Sequence, residues 1–300
     1  MRYILAIFVL LLSFNLASEI EIVEDFSSNV NNETIKKPQI KQLKNLKVNK
    51  NSQKLKIEKK IKEPAKDKKN KIISNKKSNK KFTKSKKGIL VIIIDDISHR
   101  FQLNEIKNLH IKITPSIFPP NKMNMHSNLL AKGLKHYLIH LPLESNSKAM
   151  NRMHKTIFTT YSKKQIINRI KEIRRLFPNA KYVNNHTGSV FCANYKKSKI
   201  LYTALLDNGF KFVDSRTTQK TKFKKIAKEF GRRYVKNDMF IDNKLSVNAT
   251  LNQIKKGIYL AKRNGFAIVI GHPHPTTFKA LKLAKKYLKD VEVKYLDEVY

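Results

Sequence analysis

The sequence predicts a parallel α/β domain, barrel-like or doubly wound, over residues 88–300. Three observations carry that prediction. Apolar runs of strand length alternate with amphipathic stretches of helical period. The first run, Gly88–Ile94, is apolar without a break, as in a strand buried on both faces of a helix-covered parallel sheet. Chemically active polar residues recur where the runs end, the edge at which such folds gather their active groups.

In chain order, Met1–Ser18 comes first. Arg2 precedes an apolar run, Tyr3 to Phe14, and small residues follow at Ala17 and Ser18. That is a signal-peptide pattern, and residues 3–14 are the alternative candidate for an uncleaved membrane anchor. Either way the rest of the chain is expected to be exported, to the periplasm or cell envelope. Residues 19–87 open with Glu19, Glu21, Glu24 and Asp25, then become rich in Lys, Asn and Ser. They hold too little apolar surface to offset the entropy of ordering, so a disordered basic tether is expected.

Strands are expected at Gly88–Ile94, Lys112–Phe118, His136–Leu141, Lys181–Asn184, Lys211–Asp214, Met239–Ile241 and Ala267–Gly271. Helices are expected at Asn104–Leu109, Met123–Lys132, Ser162–Leu176, Lys197–Asn208, Lys220–Phe230, Ser246–Asn264 and Thr277–Lys289. Ser162 and Ser246 stand where N-caps belong, and Gly209 and Gly265 where C-terminal caps belong.

The chain carries 63 Lys and Arg against 22 Asp and Glu, a formal charge of +41. Nucleic acid, an anionic envelope polymer or membrane, and a simple bias toward Lys, Asn and Ile all account for such an excess. The export signal argues against a specific nucleic-acid partner, and no nucleic-acid motif stands in the folded part. Cys192 is the single cysteine, which excludes an internal disulfide and a multi-cysteine zinc site.

Five runs end in polar clusters: Asp95–Asp96, His140 to Glu144, Asn184 to Ser189, Asp214 to Thr218, and His272 to Thr277. Each has a local explanation. Asp95–Asp96 and Asp214 suit helix caps, Asn184–Asn185 suits a turn, and a lone His suits a structural hydrogen bond. Jointly, Asp and His residues arriving at one edge point to a divalent-metal site with acid/base partners.

These segments, in this order, resemble the divergent polysaccharide deacetylase family, a relative of the metal-dependent carbohydrate esterases. The resemblance covers Gly88 to the C-terminus and implies a distorted (β/α) barrel of about seven parallel strands. It implies a divalent metal, zinc by ligand type, held by Asp96, His140 and His186. Glu144, four residues after His140, is the alternative to His186. It further implies Asp95 as base and His272 as acid, with His274 as second choice. Asp214 and Arg216 would orient groups or hold His272 in position, and Asn184, Asn185 and His274 would face the substrate. The implied activity is removal of acetyl groups from an envelope glycan such as peptidoglycan. The alternative is a non-catalytic glycan-binding or scaffold protein that keeps the fold.

Overall fold

The computed structural model describes residues 87–300, apart from Met123 and His154. The expected signal segment or anchor and nearly all of the expected tether lie outside the described residues. Among the described residues, no helix is long and apolar enough to cross a membrane.

One parallel sheet organises these residues. Its strands are β1 (Ile89–Ile97), β2 (Ile113–Ile117), β3 (Leu138–Leu143), β4 (Tyr182–Thr187), β5 (Lys211–Asp214), β6 (Val235–Lys236), β7 (Met239–Phe240), β8 (Phe266–Gly271) and β9 (Glu292–Lys294). The order is β6-β5-β4-β3-β2-β1-β8-β7, and β9 pairs with β1. One edge of β1 is shared: β9 takes Ile89 to Val91, and β2 begins at Ile92.

The sheet curls into a half-barrel, and the chain itself crosses the gap between its edge strands. Only Asn237 and Asp238 separate β6 from β7. The Asn237 amide donates to the Asp214 carbonyl on one side, and the Asp238 amide donates to the Ile268 carbonyl on the other. One extended segment thus serves both edges. This is the α/β barrel the sequence predicts, and all seven expected runs are strands. β6 and β9 are additions, each too short to show a period.

Side chains alternate along a strand, so each strand feeds two cores. Ile89, Val91, Ile93, Leu138, Tyr182, Val213, Ile268 and Ile270 fill the barrel interior. Leu90, Ile92, Ile94, Ile139, Val183 and Val269 face the surrounding helices. Those helices are α1 (Arg100–Asn108), α2 (Lys148–Met153), α3 (Lys163–Leu176), α4 (Tyr195–Asp207), α5 (Phe223–Glu229), α6 (Val247–Asn264) and α7 (Pro275–Leu288). Leu296, Val299 and Tyr300 join the interior core and stop the end where the strands begin.

The expected caps are present. Ser162 accepts from the Gln165 amide and Ser246 from the Ala249 amide. Gly265 ends α6 at φ 80°, the left-handed conformation that favours glycine. The helix expected at Met123–Lys132 is instead a 3₁₀ turn, Ser127–Ala131. The Asn121 side chain accepts from the Asn124 amide, and that of Asn124 from the His126 amide. Such local side-chain bonds compete with a helix start. Helix α2 is a further addition.

Candidate active site

The end of β1 departs from regular pairing. Ile94 lies opposite Pro115 but Ile97 lies opposite Ile117, so β1 carries one extra residue there. Asp96 absorbs this bulge at φ 57°, a strained conformation for a side-chain-bearing residue. The consequence is chemical. Asp95 faces inward by alternation after Val91 and Ile93. Asp96 would turn outward in a regular strand, but the bulge returns it to the mouth of the barrel.

Two histidines meet it there. His140 follows the inward Leu138 on β3, and His186 follows the inward Tyr182 and Asn184 on β4. Asp96 Oδ1 lies 3.0 Å from His140 Nε2 and 3.1 Å from His186 Nδ1. The two ring nitrogens are 3.2 Å apart. A divalent ion with bonds of about 2.0–2.2 Å holds neighbouring donors about 2.8–3.6 Å apart in tetrahedral or octahedral geometry. The triangle has that size, and one Asp with two His is a zinc-type donor set.

Asn184 fixes the chemistry of this triangle. It is fully buried and uses its whole amide. Its Nδ2 donates to Asp95 Oδ1 at 2.7 Å and to Ser215 Oγ at 3.1 Å. Its Oδ1 accepts from Ser116 Oγ at 2.6 Å and lies 2.9 Å from His140 Nδ1. An amide oxygen only accepts, so the proton of His140 sits on Nδ1 and the Nε2 lone pair faces Asp96. Lone pairs on Nε2 and on a carboxylate 3.0 Å apart require a cation between them, a proton or a metal.

The protonation tendencies agree. Burial opposes ionisation of Asp96, but hydrogen bonds and charge from His140 and His186 hold its carboxyl well below the usual range. Burial pushes His186 down, toward the neutral form that binds metals. Burial raises Asp95 above an ordinary aspartate, although His140, His272 and Asn184 pull the other way.

His272 arrives from β8 after the inward Ile268 and Ile270. Asp242, just beyond β7, holds it: Oδ1 lies 3.0 Å from Nδ1, and Oδ2 accepts the His272 amide at 2.5 Å. Thr277 Oγ1 donates to the same Oδ2 at 2.8 Å. Burial would lower the imidazole, but Asp242 and the charge of Asp96 outweigh it and raise His272 to about 9.

Several expected residues sit elsewhere. Asp214 does not hold His272. It follows the inward Val213 and so points outward, where it accepts from the Arg216 amide, Thr221 Oγ1 and Tyr234 Oη. The Arg216 guanidinium donates to Gln219. Asn185 has the opposite parity to Asn184 and braces the turn, accepting from the Ser215 amide and donating to the Thr187 carbonyl. Asn184 orients Asp95 and His140 instead of facing a substrate. Glu144 is engaged away from the triangle, accepting from the Thr159 amide and hydroxyl. His274 is the N-cap of α7, and it offers a ring nitrogen within 4.8 Å of ligand atoms on Asp242 and His272. Asp242 and Ser116 were not anticipated. The signal for Asp242 was present, since it follows the run Met239–Ile241 as the other acids follow theirs.

A model of the divergent polysaccharide deacetylase family matches residues 92–299, which cover nearly all of the barrel and every residue of this site. The chain belongs to the divergent polysaccharide deacetylase family. An uncharacterized protein of Haemophilus influenzae is 31% identical over 203 residues, 67% of this chain and 72% of that protein. An uncharacterized protein of Escherichia coli K12 is 30% identical over 198 residues, 65% of this chain and 61% of that protein. A crystal structure of an uncharacterized protein from Agrobacterium tumefaciens C58 shares the fold. Its TM-score is 0.60 at 16% identity, over 70% of this chain and 87% of that one. The matched region begins at Ile92, inside the strand that presents Asp95 and Asp96.

Proposed function

We propose that this chain is an exported, metal-dependent hydrolase that removes acetyl groups from an envelope glycan, with peptidoglycan the leading candidate. The observation that carries the reading is the donor triangle of Asp96, His140 and His186, with the buried carboxylate of Asp95 and the protonated imidazole of His272 close enough for their charges to act on it. Export rests on the signal pattern in residues 1–18.

Asp96, His140 and His186 would hold a divalent cation, zinc by donor type. Such a cation supplies Lewis acidity, making a water reactive near neutral pH and polarising the acetyl carbonyl. Asp95 takes the proton of the attacking water. Burial raises its basicity, and Asn184 keeps its carboxylate aimed. The C–N bond of the acetamide breaks, and His272 gives its proton to the departing amine nitrogen. Asp242 keeps that imidazole charged and fixes its plane. Acetate and a free amine on the sugar result.

The test is acetate release from acetylated glycans by purified protein of measured metal content. Asp96→Ala is expected to abolish both metal retention and turnover. Unchanged acetate release by that variant defeats the mechanism. Glycan binding by wild type without acetate release favours the non-catalytic alternative.

A further inference from the structure

Seven large apolar side chains stand exposed among the described residues, and their placement is uneven. Five of them, Phe101, Met125, Leu129, Met150 and Leu245, are between 42% and 71% exposed and stand on segments that leave β1, β2, β3 and β7 at the barrel mouth. The other two, Tyr259 and Leu283, lie within α6 and α7. None of the seven stands on a segment that leads from a helix into a strand. Single exposed apolar groups are ordinary on a protein surface, but their gathering at one end marks a surface that meets a partner.

The backbone beneath this rim is fastened to the candidate metal site. Phe118, the first residue after β2, packs its ring against His140 and His186, with centroids 5.0 Å and 4.8 Å away. Its amide donates to the Ile97 carbonyl at 2.9 Å, and its carbonyl accepts from Ser127 Oγ at 2.7 Å. The Asn124 side chain donates to the Ser98 carbonyl, which ties the segment bearing Met125 and Leu129 to the one bearing Phe101. Phe101 itself stacks on His99 at 5.8 Å. Braced backbone, rather than slack loop, thus presents these apolar tips beside the site.

The free charge on the same segments has one sign. Arg100, Lys122, Lys148, Arg152 and Lys244 are all exposed. The two acids of these segments, Glu144 and Asp242, are turned inward, onto Thr159 and His272. A glycan chain would call for flat aromatic faces, and only one of the five tips is aromatic. Aliphatic and thioether tips set among lysine and arginine suit the acyl boundary and the phosphates of an anionic lipid surface.

We propose that the barrel mouth docks on an anionic phospholipid surface, with Phe101, Met125 and Leu129 reaching the acyl boundary and the neighbouring cations facing the phosphates. An acetylated sugar held by a lipid anchor is the substrate that such docking would bring to Asp96, His140 and His186. This assignment of substrate, unlike the docking itself, rests on the hydrolase reading above.

The chain contains no tryptophan, so one introduced at the rim reports its own surroundings. The Lys-rich segment before residue 88 would also attract anionic vesicles, so vesicle binding alone is not the readout. Full-chain Phe101→Trp and Met125→Trp, with Tyr259→Trp as the reference, each replace an exposed side chain. Their emission is followed in vesicles of phosphatidylglycerol and brominated phosphatidylcholine. Quenching of the two rim probes is expected to exceed that of Tyr259→Trp by about twofold or more, because bromines reach only groups buried about 5–10 Å into the headgroup and acyl boundary. Equal quenching at all three positions, or none at the rim, overturns the proposal. So does equal quenching by brominated vesicles that lack the anionic lipid. A blue shift of the rim probes with soluble peptidoglycan fragments but not with vesicles assigns the rim to a glycan and likewise overturns it. None of these readouts involves acetate release, so the docking can fail while the hydrolase reading stands, and the reverse.

Discussion

Single side chains at the barrel mouth divide by parity. Asp95, His140, Asn184, His186 and His272 all continue the inward row of their strands, whereas Asn185 and Asp214 continue the outward row. The acids and histidines were legible because they stand at the ends of apolar runs. The split between Asn184 and Asn185 was not, because both are polar neighbours and only the register of β4 against β3 decides which one enters. Pairing of His140 with Asn184 is that register. Asp242 supports a prediction at this scale. Together with the charge of Asp96 it raises His272 to about 9, so the protonated acid is present at neutral pH and is lost as pH climbs through that value. Deprotonation of Asp95 sets the acid limb, giving a bell-shaped profile. Asp242→Asn removes the main raising influence and is expected to move the alkaline limb to lower pH. Asp214→Asn, on the outer face, is expected to leave that limb in place. Rates measured from pH 5 to 10 check both.

At the scale of elements, the decisive features are irregularities. The bulge in β1 brings two consecutive acids to one side, and no periodic pattern in Gly88–Ile94 foretells it. The junction of β7 and β8 is a second case. A Cβ on Gly271 would lie 2.9 Å from Ile241 Cγ1 and 3.2 Å from Asp242 Oδ2. Glycine there lets the segment carrying Asp242 approach β8 closely enough to grip His272. Gly271→Ala is therefore expected to cost about 1–3 kcal/mol of stability by overpacking. Turnover should fall further than folding alone explains, because Asp242 is displaced. Thermal unfolding and rate measurements on the same preparation separate the two effects. Longer elements were legible because fourteen-residue α3 and eighteen-residue α6 sustain a clear apolar stripe and carry serine caps. Two-residue β6 and three-residue β9 are held by their neighbours rather than by any pattern of their own.

Across the whole molecule, chemistry and stability occupy opposite ends of the barrel. The mouth holds strained backbone and buried charge, while Leu296, Val299 and Tyr300 seal the other end. Leu296 is fully buried, and Leu296→Ala is expected to cost about 2–5 kcal/mol of unfolding free energy while leaving metal content unchanged. Denaturant unfolding with metal analysis checks that separation. The central claim is that β1, β3 and β4 each deliver one donor to a single divalent ion, with His186 in place of Glu144 as the third. Metal stoichiometry of wild type, His186→Ala and Glu144→Ala after identical loading and dialysis tests it most directly. The account predicts one ion per chain in wild type and in Glu144→Ala, and loss of the ion in His186→Ala. Retention of the ion by His186→Ala together with its loss from Glu144→Ala would contradict it.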